Sequence, residues 1–220
     1  MILFLKSFRV FPILLILNAC DPTSMAISAG ASTGVAAYQE RGIKGFAHDT
    51  AIEAQIYSLW LKSNKSLMKK IGVEVYENRV LLTGIVQSEK DRALAIGLVW
   101  SIDGVKDVIN EIIIGKELTM SEIALDAATT AELKSRLTFQ EQILAVNFAI
   151  ETVRGTIYLI GIAQNKKELD HVINQARDLS YVKKIISHVR IKNSTTKTKK
   201  RKNNETLFRD SPPIKYTRKS

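Results

Sequence analysis

One cysteine, Cys20, occurs in the 220 residues of this chain, and a lone thiol excludes an intrachain disulfide framework. Histidine is nearly as scarce: His48, His171 and His188 stand at unrelated positions. Neither His171 nor His188 has a second ligand at helical or hairpin spacing, and a metal site needs three or four converging groups. No metal and no cofactor is therefore expected. No nucleophile elbow, Walker loop or cysteine–histidine arrangement is present. The small-residue stretch from Ser28 to Gly34 lacks a following Lys-Ser/Thr and a preceding strand pattern, so it reads as a flexible tether rather than a phosphate loop. These absences argue for a non-enzymatic protein with no small-molecule substrate. The apolar run from Val10 to Leu17 is also too short to span a bilayer.

That run does have the form of an export signal. Lys6 and Arg9 precede it, and it ends in Leu17-Asn18-Ala19-Cys20, with a small residue before the break. The lone cysteine stands where cleavage would fall, which resembles a bacterial lipobox. The resemblance implies a signal peptide over 1–19, an acylated (palmitate-bearing) Cys20 as mature N-terminus, and a lipidated flexible tether over 20–46. Multiple acyl chains hold a protein on a membrane far more firmly than one. Ordinary secretion with an incidental Cys20, or a cytosolic chain with an apolar start, are the competing readings. By the same resemblance, Asp21 resembles an inner-membrane retention residue, whereas related lipoproteins favour the outer membrane; in either case the protein faces the periplasm.

The formal charge of +10 is unevenly spread. Residues 194–220 hold nine Lys/Arg against Glu205 and Asp210, so most of the excess lies in a polar tail that cannot offset its own ordering entropy. A basic disordered tail is expected there, serving solubility or electrostatic adhesion; nucleic-acid binding through the cluster at 197–202 is the less favoured reading.

What the chain does contain is a repeat. Val80 to Gln87 (VLLTGIVQ) returns 77 positions later as Ile157 to Gln164 (IYLIGIAQ), and the same offset pairs Gly84 with Gly161 and Ser88 with Asn165. In the first copy, Thr50 and Glu53 have capping-box spacing before Ile52, Ile56, Leu59 and Trp60, which predicts a helix to about Leu61. Two strands about a turn at Glu77-Asn78-Arg79 follow, then a helix started by Ser88 and Asp91, then a strand from Val105 to Ile114. The second copy repeats the order, with Leu133 and Leu137 at the places of Ile56 and Trp60, a turn at Arg154-Gly155 and a helix start at Asn165 and Glu168. The fold class is α+β: two tandem α-β-β-α-β units, each a three-stranded mixed sheet covered on one face by two helices. Their bounds are 47–116 and 124–193. Gly84 and Gly161 in mid-strand suggest a close helix-to-sheet approach. Glu74 and Glu151 occupy equivalent strand positions and read as a repeated solvent-facing site. The cores keep step while the exteriors diverge, with Trp60 and Trp100 replaced by Leu137 and Arg177.

This order, with Val80-Leu81-Leu82-Thr83-Gly84, Gly104-Val105 and Asn110-Glu-Ile in one copy and Ile157-Tyr158-Leu159-Ile160-Gly161 in the other, resembles the BON domain, here in a dual-BON periplasmic lipoprotein. The resemblance implies binding of an anionic phospholipid membrane in support of outer-membrane integrity. It also implies that the first helix of the second unit and the adjoining loop form the membrane face, with Lys134, Arg136 and Phe139 as candidate lipid-binding residues. The same side chains read alternatively as a solvated helix side with Phe139 in the core. A second function class is a periplasmic scaffold that docks an envelope protein partner, with exposed edge strands supporting strand addition.

Overall fold

The computed structural model describes residues 39–192 and the strand 214–217. The first unit comprises α1 (Gly42–Ser63), the short α2 (Leu67–Lys70), β1 (Ile71–Tyr76), β2 (Arg79–Val86), α3 (Glu89–Trp100) and β3 (Asp107–Ile114). The second comprises α4 (Met120–Thr138), a 3₁₀ turn (Ala145–Asn147), β4 (Phe148–Val153), β5 (Thr156–Ala163), α5 (Lys166–Arg177) and β6 (Lys184–Ile191), followed by β7 (Ile214–Thr217). In each unit the first two strands pair antiparallel and the helical crossover returns the third parallel to the second.

Local chemistry places these elements. Ser88 accepts from the Asp91 amide at 3.1 Å and Asn165 from the Glu168 amide at 3.0 Å, so α3 and α5 start where the repeated cap residues stand. Both hairpins turn through two residues of positive φ: Glu77 and Asn78 at 52° and 66°, Arg154 and Gly155 at 50° and 74°. This is the type I′ geometry that matches strand twist. A buried carboxylate holds each turn. Asp49 accepts from the amides of Glu77 and Asn78, both at 2.8 Å, and Asp126, at the same place in the repeat, accepts from Arg154 and Gly155 at 2.7 and 2.9 Å.

Three boundaries differ from the sequence reading. Helix α1 begins at Gly42, eight residues before Thr50, whose hydroxyl donates to the Phe46 carbonyl inside the helix rather than capping it. The end of the expected tether, residues 39–46, therefore belongs to the folded unit. Helix α4 begins at Met120 through a full capping box between Thr119 and Glu122. In the basic tail, β7 pairs antiparallel with β6 from Lys184 opposite Thr217 to Ser187 opposite Ile214, which extends the second sheet to four strands. Ile214 and Tyr216 alternate with polar residues, a strand pattern that the tail's overall polarity masked.

Each unit has its own core between helices and sheet. Ile52, Ile56 and Trp60 from α1 and Ala95 and Val99 from α3 close over Val73, Val75, Val80 and Leu82. Leu133, Leu137, Leu169, Val172 and Ile173 close over Ile150, Ile157 and Leu159. Trp60 is wholly buried and its indole N–H reaches the Ala95 carbonyl, so it marks the core rather than a diverged exterior. The opposite sheet faces pack on each other through Tyr76, Leu81 and Ile85 from one unit and Val153, Tyr158, Ile160 and Ile186 from the other. The layers run helix, sheet, sheet, helix.

Candidate functional site

Gly84 and Gly161 lie at positive φ, 120° and 148°, and a Cβ there would stand 2.1 Å from the Lys70 carbonyl oxygen and 1.9 Å from that of Asn147. The close neighbour is the backbone that enters the first strand of each unit, not a long helix packed on the sheet as its recurrence suggested. Hydrophobic burial alone leaves that contact free; the glycine fixes it.

The two sheet faces meet through the repeat itself. Glu111 of β3 and His188 of β6, related by the 77-residue offset, contact each other at 2.9 Å, as expected where two like units pack about an approximate twofold axis. Arg79 donates to the His188 carbonyl at 3.0 Å, and Arg190 pairs with Glu77. Residues just before α1 complete the joint. The Glu40 amide donates to Asn147 Oδ1 at 2.8 Å, and its carboxylate takes Gln164 Nε2 at 2.7 Å and Lys192 Nζ at 2.8 Å. Lys192 and Gln164 together hold the Glu40 carboxyl below the usual range. Arg41 reaches Asp49 at 2.7 Å and lies over the rings of Phe46 and Tyr76.

Where β1 and β4 come side by side, Glu74 and Glu151 turn toward the joint between the sheets. They are half-buried there, which corrects their reading as a solvent-facing pair. The Glu151 carboxyl lies over Gly72, which has no side chain to exclude it. Burial pushes Glu74 up to about 7; Lys134 opposes the shift, and the charges of Glu151 and Glu53 add to it. Burial likewise raises Glu151 and Glu53, against the pull of Lys134 and Arg41 respectively. The joint thus holds a cluster of carboxyl groups with Lys134 at its rim.

The candidate lipid-binding residues are distributed around α4. Leu133 and Leu137 are fully buried and fix the helix on the second core. Lys134 and Arg136, two positions apart, leave the helix roughly 200° apart. Lys134 is exposed and its charge acts on Glu74 and Glu151. Arg136 is ion-paired with Glu132 at 2.6 Å. Phe139, which caps the C-terminus of α4 just past Thr138, is 83 % exposed, and so is outside the core, and Leu144 beyond it is 45 % exposed. Arg136 and Phe139, three apart, share one side of the helix end; Lys134 faces elsewhere. Cys20 lies outside the described residues.

Among the described residues no group of three or more His, Cys, Asp or Glu side chains could hold a metal ion, and no helix is long and apolar enough to cross a membrane. Asp49, Asp126, Glu40 and Asn147 escaped the sequence reading. The two aspartates were within reach of it, because the 77-residue offset pairs them directly.

The BON domain family model matches residues 48–116 and again 125–193. An uncharacterised protein of the gshII 5′ region of Anaplasma centrale is 43 % identical over 143 residues, covering 62 % of this chain and 95 % of that protein. Osmotically-inducible protein Y of Escherichia coli is 24 % identical over 152 residues, 68 % of this chain and 76 % of the relative. The outer membrane lipoprotein DolP of Haemophilus influenzae is 25 % identical over 117 residues, 53 % of this chain and 60 % of DolP.

Proposed function

Since both of its units match it, the chain belongs to the BON-domain family, and from that membership we propose a non-enzymatic cell-envelope protein, anchored through an acylated Cys20 and facing the periplasm, whose second unit binds anionic phospholipid in support of outer-membrane integrity. The observation that carries this reading is Phe139, a large aromatic side chain 83 % exposed at the end of a firmly packed helix. An exposed ring beside a cation suits the boundary between headgroups and acyl chains, where aromatic residues anchor and each cation adds about 1 kcal/mol at an anionic surface. Arg136 is that cation; its partner Glu132 is 55 % exposed, so a headgroup phosphate can displace a solvated carboxylate at small cost. Lys134 contributes through the long-range field, since it also answers the carboxyl cluster. The likeness to an outer membrane lipoprotein supports the same address.

Co-sedimentation of a Cys20→Ser chain, which carries no acyl anchor, with vesicles tests the lipid claim. Binding to vesicles containing phosphatidylglycerol, weakened at least fivefold by Phe139→Ser and by Arg136→Glu, is expected. Equal binding to neutral and anionic vesicles, or none, would overturn it. Mass spectrometry of the mature protein tests the anchor: a diacylated or triacylated Cys20 at the N-terminus is expected, and an unmodified mature chain would remove it.

A further inference from the structure

The two sheets share a topology but not an edge. On the second, β7 covers the outer side of β6; among the described residues nothing pairs with the outer side of β3, its counterpart. The other two edges, β1 and β4, lie against each other at the joint. Strand β3, Asp107–Ile114, is therefore an edge strand whose Ile112 amide is taken by Asn110 Oδ1 at 3.1 Å and whose end, Ile113 and Ile114, is 40 % and 42 % exposed. Such an edge is a template for another strand unless charge, a bulge or a proline blocks it.

We propose that the β3 edge binds the Ile214–Thr217 strand of a second copy of this chain. The register is supplied by the molecule itself. Lys184, Ile185, Ile186 and Ser187 take Thr217, Tyr216, Lys215 and Ile214, and 77 positions earlier stand Asp107, Val108, Ile109 and Asn110. Charge favours the exchange. The segment is basic in sequence, with Lys215, Arg218 and Lys219, and on β6 its ladder ends at Lys184, next to Lys183. On β3 the equivalents of Lys183 and Lys184 are Lys106 and Asp107, and Asp107, 3.5 Å from Arg79, keeps its side chain 32 % exposed. Opposite charges across a strand pair stabilise it and like charges oppose it. At the end of the ladder β3 thus offers the basic segment a carboxylate where β6 offers Lys184. The pairing replaces one four-residue ladder by another, so association opposes only the entropy of bringing copies together and is reversible. A strand given by one copy to a different edge of the next makes a head-to-tail contact, which continues into open chains unless the rotation closes a ring.

Sedimentation of the Cys20→Ser chain, which carries no acyl anchor, over a rising concentration series reads this directly. Reversible growth beyond the dimer is expected, abolished by deletion of residues 214–220 and weakened about fivefold by Asp107→Lys. Register is tested in a Cys20→Ser background by mixing a Val108→Cys population with a Tyr216→Cys population under oxidising conditions. A covalent dimer is expected from this pair and none when Lys90→Cys replaces Val108→Cys. A chain that stays monomeric, association that survives the deletion, or cross-linking no better than the Lys90→Cys control would each overturn the proposal. None of these outcomes involves lipid, so failure here leaves the membrane reading untouched.

Discussion

Glu74 titrates near neutrality because the fold places its carboxyl between two sheets. Its folded pKa of about 7 stands above the unfolded value of 4.5, so the folded chain binds more protons than the unfolded one between those limits. Stability is then greatest below about pH 4.5 for this group and falls as pH rises to 7. Glu74→Gln removes the penalty, and urea titrations at pH 4 and pH 8 should show the variant gaining about 1–2 kcal/mol more on wild type at the higher pH than at the lower. Equal effects at both pH values would refute the assignment. Glycines at the same scale divide by what a methyl group would meet. Gly161→Ala drives Cβ onto the Asn147 carbonyl and is expected to cost about 3 kcal/mol or more. Gly97, exposed inside α3 with nothing within 4 Å of an added Cβ, should gain about 0.5–1 kcal/mol when changed to Ala, because only its backbone freedom is lost. Thermal melts of the two variants moving in the same direction would contradict the distinction.

Among the elements, the hairpins and α4 bear the clearest consequences. Asp126→Ala leaves two amides of a left-handed turn without their acceptor, and a loss of about 2–3 kcal/mol in urea unfolding is expected. Asp49→Ala should cost a similar amount, since the same device holds the first hairpin. Both hairpins were legible in the chain, but the carboxylates that fix them were not, because each lies on a helix 28 residues from the first amide it holds. Helix α4 was likewise legible through Leu133 and Leu137, whose spacing matches Ile56 and Trp60. The sides on which its charges fall were less apparent. A cation two residues from another shares the local sequence but not the helix face, so the charge of Lys134 acts on carboxyl groups of β1 and β4 while Arg136 pairs with Glu132. Strand β7 illustrates the converse error: composition predicts disorder for a basic tail, yet four alternating residues suffice when an edge is already folded to receive them.

At the scale of the whole molecule, the sheet-to-sheet layer joins the two units, and they are expected to unfold together. Ile160 is fully buried in that layer, and Ile160→Asp would place an unpaired charge in it. Unfolding of the wild-type chain followed by tryptophan fluorescence, which reports on Trp60 and Trp100 in the first unit alone, should coincide with unfolding followed by circular dichroism. Ile160→Asp lies in the second unit, yet it is expected to lower the tryptophan-detected midpoint, by several kcal/mol in stability. A tryptophan transition indifferent to that change would mean that the units are independent.

The chain by itself determined what short-range chemistry specifies: two α-β-β-α-β units, the caps of α3 and α5, the two hairpin turns, and most of the residues that enter each core. It did so because hydrophobic periodicity, cap residues and a repeat at constant offset all act within one unit. The stretch VLLTGIVQ and its echo are the best-kept part of the repeat for a reason visible only in three dimensions. Strands β2 and β5 are buried on both faces, one against helices and one against the other unit, so every position is constrained. Tertiary structure alone decided that the bare faces of the two sheets cover each other, that Glu74 and Glu151 share the resulting joint, and that β6 is covered while β3 is open. Those outcomes depend on groups brought together from across the chain, and no local pattern records which face a folded unit will bury.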